Sequence, residues 1–129
     1  MAVIDGAKDK VTSFINDSHW WQLVVDPGTN RIYSGGISLI PVHGGAIING
    51  NSKISTLLKT PTPLLFVTSI AVNPVTHKAY YYNFFGRRGD PVRSAIAIVN
   101  GLTNEVQEVK LKSLFPGEIA VNSVTTKST

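Results

Sequence analysis

His19, His43 and His77 are the side chains of this 129-residue chain best suited to move protons or bind a metal near neutral pH. No two of them stand at H-x-x-x-H or H-x-H spacing, the intervals that aim two imidazoles at one ion. His77 falls in a strand-connecting turn and reads as a turn residue, whereas His43, in IPVHGGA, is kept as a candidate binding residue. The acids Asp5, Asp9, Asp17, Asp26, Asp90, Glu105, Glu108 and Glu118 are scattered. Asp5 and Asp26 read as turn residues, and Glu118, just before a strand, could face a central axis. One acid makes no acid/base pair. There is no G-x-S-x-G, P-loop or G-x-G-x-x-G. With no cysteine, disulfides, thiol catalysis and cysteine-based zinc sites are excluded. No catalytic residue, metal ligand or cofactor is assigned.

Binding chemistry has more candidates. Trp20-Trp21 and the string Tyr80, Tyr81, Tyr82, Phe84, Phe85 could form a sugar or peptide platform. Alternation along a strand sends most of them into packing between sheets. Trp20, Tyr81 and Phe85 are assigned to the exposed side. Arg87, Arg88 and Asp90 sit in a loop over 84–93, where Arg88-Gly89-Asp90 spells a tripeptide that adhesion receptors can read. Asn16-Asp17-Ser18 is a glycosylation sequon in a host that glycosylates. A net charge of +4 is spread along the chain, with only Arg87-Arg88 and the thin run Lys110, Lys112 as local clusters. A nucleic-acid reader carries a denser patch, so nucleic acid is not expected as a partner.

The elements that must position these residues are strands. Hydrophobic residues make up 43% of the chain and charged residues 16%, a folded composition whose surface is largely uncharged. Seven prolines and eleven glycines interrupt every helical window, so almost no helix is expected. The length suits one domain. The start, MAVIDGAKDKVTSFIND, lacks the pattern of a signal peptide. No stretch approaches the roughly 18 apolar residues of a membrane helix.

Two words alternate along the chain. The first is VVDPGTNRIY (24–33), repeated as AVNPVTHKAY (71–80) and, with Ser123 in place of proline, as AVNSVTTK (120–127). The second is AVIDGAKDKV (2–11), repeated as AIINGNSKIS (46–55) and AIVNGLTNEV (97–106). In the first, Asp or Asn opens a turn by accepting from the backbone ahead, and proline pre-sets the next φ. In the second, an Asx-Gly pair turns the chain. Each word is therefore a β-hairpin, and two alternating hairpins make a four-stranded antiparallel sheet repeated radially.

These words resemble the YVTN-family β-propeller repeat. The resemblance rests on VDPGTNRIY, IAVNPVTHKAYYYN, AVIDGAKDKV, AIVNGLTNEV and IAVNSVTTK and runs from residue 2 to about 127. SGGISLIPVHGGAI and YYYNFFGRRGDPVRSA depart from it as insertions, where individual function would be expected. The resemblance implies an all-β propeller of four-stranded blades, extracytoplasmic or surface-associated, with no common active site. The expected layout is a half-blade over 2–15, blades over 21–59 and 64–112, and a closing strand over 117–122. That sums to about three blades, beginning and ending in mid-blade, whereas rings typically hold about four to eight. A homo-oligomer through the terminal blades follows, with a six-bladed dimer favoured over a trimer, a stacked fibre or a piece of a larger ring. The function expected is non-enzymatic binding or assembly. The alternatives are a hydrolase or lyase with a polar site on the central axis, and a surface adhesion fragment using the 84–93 loop. No ligand is named.

Overall fold

The computed structural model describes residues 1–15, 22–37, 44–62, 64–85, 93–111 and 117–124. Among them the chain is all-β, without helix. β1 (Ala2–Asp5) and β2 (Lys10–Phe14) form a hairpin. β3 (Gln22–Asp26), β4 (Arg31–Gly35), β5 (Gly45–Asn49) and β6 (Ser55–Leu57) form a first antiparallel meander. β7 (Phe66–Asn73), β8 (Lys78–Phe85), β9 (Arg93–Asn100) and β10 (Val106–Leu111) form a second. The described strands thus form one two-stranded and two four-stranded antiparallel sheets. No described sheet closes on itself, and no described helix is long and apolar enough to cross a membrane.

The repeated words fold as they do because each Asx side chain caps its own turn. Asp5 Oδ1 accepts from the Ala7 N–H at 2.9 Å, Asp26 Oδ1 from Gly28 at 3.0 Å, and Asn49 Oδ1 from Asn51 at 2.9 Å. Asn73, Asn100 and Asn122 do the same for Val75, Leu102 and Val124, at 3.0, 2.9 and 3.0 Å. The fourth residue beyond the Asx is left-handed in five of these turns: Asp9, Asn30, Lys53, His77 and Asn104 have φ between 51° and 63°. At three of them the N–H returns to the Asx carbonyl: Lys53 at 2.7 Å, His77 at 2.8 Å and Asn104 at 2.7 Å. The two words then lock together within each sheet. Gly50 donates to the Asn30 carbonyl and Gly101 to the His77 carbonyl, both at 2.8 Å.

Register decides which faces meet. In the first sheet Val24 pairs with Tyr33 and Tyr33 with Ile47, so the three lie on one face. In the second, Ile70 pairs with Tyr81 and Tyr81 with Ala97, while Ala79 pairs with Val99. These two faces pack together and, with Leu64 and Val67, make the core. Tyr33 and Tyr81 meet edge to face across it, with ring centroids 6.5 Å apart and planes at 73°. The Tyr81 hydroxyl donates to the Ala46 carbonyl at 3.2 Å, tying the second sheet to the first. Tyr81 was expected on the exposed side. It is instead fully buried, because the face it shares with Ile70 and Ala97 is the one turned to the first sheet.

Residues 117–122, expected as a closing strand, pair with no described strand. The segment is held against β7 by side chains: Thr68 Oγ1 donates to the Gly117 carbonyl at 2.7 Å, and the Ile119 N–H to Ser69 Oγ at 3.2 Å. Gly117 rests on the Tyr82 ring, with room for a Cβ only 3.0 Å from Cζ.

Candidate functional site

A densely bonded polar cluster lies where the Asx turn after β3 meets the turn after β7. β3 ends on Asp26, on the face it shares with Val24, which points the carboxylate at the second sheet. Asp26 is fully buried. Its Oδ1 accepts from the Gly28 N–H, and its Oδ2 accepts from Thr29 Oγ1 at 3.1 Å and from His77 Nδ1 at 2.8 Å. Burial alone would raise the Asp26 pKa. The hydrogen bonds from His77, Gly28 and Thr29, with the attraction of the imidazole, outweigh it and hold the carboxyl below its ordinary value of 3.8. An ionised Asp26 can only accept, so Nδ1 carries the proton of this bond and Nε2 is the ring nitrogen left for other partners. His77 keeps 27% of its side chain in contact with solvent.

Glycine makes this approach possible. A Cβ on Gly28 would stand 2.7 Å from the His77 ring carbon Cε1. Behind the pair, the Tyr33 hydroxyl is buried with no hydrogen-bond partner, pressed over Gly101 of the second sheet. Burial first, then the Asp26 charge, raises its pKa. Tyr81 is pushed well above the usual phenol range, first by burial and then by Tyr33. Neither phenol is set up to ionise, and both oxygens of Asp26 are committed. The arrangement orients one imidazole and clamps two turns together.

Because the Asp26 pKa is lower in the folded chain than in the unfolded one, its contribution to stability is fully present above the ordinary carboxylate range. It is lost as pH falls through the lower folded value. Asp26→Ala strands the Gly28 N–H, the Thr29 hydroxyl and the imidazole, and is expected to cost about 1–3 kcal/mol at neutral pH. Urea denaturation should show this gap between wild type and variant closing below about pH 4. A gap that stays constant down to pH 2 would contradict the pairing.

Beside the junction, β4, β5 and β6 frame a half-open cleft of about 210 Å³, lined by Arg31, Asn49, Ser52, Ile54, Thr56 and Asn104. Arg31 donates to Asn104 Oδ1 at 3.4 Å across the two sheets. Asn49 Oδ1 is already used by its own turn. No described group of three His, Asp or Glu side chains gathers to hold a metal ion.

Of the residues singled out from sequence, Trp20, His43, Arg87, Arg88 and Asp90 lie outside the described residues. So does the Phe85 side chain, whose backbone ends β8. Tyr81 is in the core, and Glu118 is exposed in the segment beside β7. The structure therefore does not bring Tyr81 and Glu118 into one surface. Sequence reading placed Asp26 and His77 in turns and missed that they meet. A signal was present: Asp26 stands where the other copies of its word have Asn73 and Asn122, and His77 stands where Asn30 does. An acid in one copy faces a base in the next.

Compared with family models, with curated proteins and with solved structures, the chain finds no significant match.

Proposed function

We propose that the chain is a non-enzymatic assembly module of the β-propeller type, about three blades' worth, which completes its ring by pairing with a second copy. Two copies give six blades, within the size range of such rings. The observation that carries this reading is the uncovered apolar surface of the N-terminal units. On the β1–β2 hairpin Ile4 is 63%, Val11 53% and Phe14 75% exposed, and on β3 Leu23 and Val25 are 47% and 53% exposed. These are strand residues set by register on sheet faces, the kind of surface that marks an interaction site.

Catalysis is less well supported. Among the described acids, Asp26 is consumed by the inter-sheet clamp and Glu108 by the Thr62 N–H (2.8 Å) and hydroxyl. The resemblance of the repeats to the YVTN family supports an extracytoplasmic setting for such a ring.

Light scattering coupled to size-exclusion chromatography tests the reading. The expected species is a dimer at twice the 13.9 kDa chain mass, dissociating on dilution. A strict monomer up to high concentration would refute it.

A further inference from the structure

The repeats allow the contact between copies to be specified, on the premise that the assembly reading above holds. The first sheet meets the second through Val24, Tyr33 and Ile47, which pair in register across β3, β4 and β5. The second sheet carries the corresponding positions one repeat later, with alanine in place of the valine. Ala71 pairs with Tyr80 and Tyr80 with Ile98, on the face turned away from the first sheet. All three are only half-buried. The second sheet therefore presents outward a copy of the face that the first sheet already uses.

The receiving face is repeated as well. In the second sheet it includes Ala97, Val99 and Val106, with Val99 paired to Val106 and Val99 fully buried. The same word in the β1–β2 hairpin puts Ala2, Ile4 and Val11 at these positions, with Ile4 paired to Val11. There they are exposed. Phe14, paired with Ala2, widens this open apolar face. One end of the chain thus repeats the donor side of the internal sheet–sheet interface, and the other end repeats its acceptor side.

Glycine fixes the register. At the internal interface Gly101 lies beneath the Tyr33 hydroxyl, and a Cβ there would stand 2.2 Å from it. Gly6 is the same position in the hairpin, yet a Cβ on Gly6 would meet nothing within 4 Å. Among the described residues nothing requires Gly6 to lack a side chain, and its φ is outside the left-handed range.

We infer that the outer face of the second sheet takes the β1–β2 hairpin of a second copy, with Tyr80 seated over the partner's Gly6 as Tyr33 is over Gly101. The segment over 117–124 lies beside β7 on the same side, where Ile119 and Val121 are half-buried. It would form the inner edge of the blade whose outer hairpin the second copy supplies. The contact joins two different faces, and a two-fold axis forms it twice, once in each direction, which closes the dimer.

Sedimentation of the full chain over a dilution series tests this, with wild type, Gly6→Val and Ile4→Glu compared. Thermal unfolding at the lowest concentration checks that each variant folds, and both changes fall on exposed positions. Gly6→Val adds apolar surface, so it would strengthen indiscriminate sticking. In the inferred register it instead drives a side chain into Tyr80 and should weaken association at least about tenfold. Ile4→Glu should weaken it at least as much by burying a charge. Association weakened by Ile4→Glu but untouched by Gly6→Val overturns the register. Association indifferent to both variants overturns the hairpin as the contact and leaves assembly by another face. A strictly monomeric wild type overturns the contact and the assembly reading together.

Discussion

Truncating Tyr81 to alanine is expected to cost about 3–5 kcal/mol of folding free energy, the largest single-residue effect in the core. The ring is fully buried, meets Tyr33 edge to face, and ends in the hydroxyl bond to the Ala46 carbonyl. Removing it opens a cavity between two sheets whose strands are fixed by their own ladders and cannot collapse to fill it. Tyr81→Phe keeps the packing and takes one of two side-chain donors from the Ala46 carbonyl, which still accepts from Ser34 Oγ at 3.4 Å, so no more than about 1 kcal/mol is expected. Urea unfolding at constant slope reads both values. A Tyr81→Ala chain within about 0.5 kcal/mol of wild type would mean that this residue belongs to the surface after all.

Gly101→Val should be nearly as damaging, at about 3 kcal/mol. Its Cβ would fall 2.2 Å from the Tyr33 hydroxyl and 2.7 Å from the His77 carbonyl, and the second of these is backbone held in a turn. The substitution also forces apart the Gly101 N–H and the His77 carbonyl that lock the two hairpins. Tyr33→Phe removes the nearer obstacle. Because that hydroxyl is buried without a partner, the single change Tyr33→Phe should be neutral or stabilising, and in combination it should recover part of the Gly101→Val loss. No recovery in the double variant would place the Tyr33 hydroxyl elsewhere.

Much of this architecture is legible in the chain because turn chemistry is local. An Asx side chain reaches only two or three residues ahead, so Asp5, Asp26, Asn49, Asn73 and Asn100 announce their turns without help from the rest of the molecule. The hairpins expected from the two words accordingly appear as antiparallel strands over Ala2–Phe14, Gln22–Leu57 and Phe66–Leu111. Which face of a strand points where is not local. Tyr80, Tyr81 and Tyr82 are equally aromatic, and both faces of the second sheet are apolar, so composition cannot say which of them turns inward. The answer comes from stacking on the first sheet, and it puts Tyr81 inside. The Asp26–His77 contact, between residues 51 apart, arises from the same stacking. The segment over 117–122 carries the word of an inner strand, but a strand needs a neighbour to pair with, and side-chain bonds to Thr68 and Ser69 hold it instead.

In the proposed assembly the outer face of the second sheet closes on the β1–β2 hairpin of a second copy. Amide hydrogen exchange of β1 and β2, followed as a function of protein concentration, tests it most directly. A two-stranded hairpin is marginal by itself, and its amides should exchange quickly in the dilute chain. If a second copy covers Ile4, Val11 and Phe14, protection over Ala2–Asp5 and Lys10–Phe14 should rise with concentration, while β4 and β5, whose Tyr33 and Ile47 are already buried within the chain, should not change. Exchange in β1 and β2 that stays fast at every concentration would contradict it.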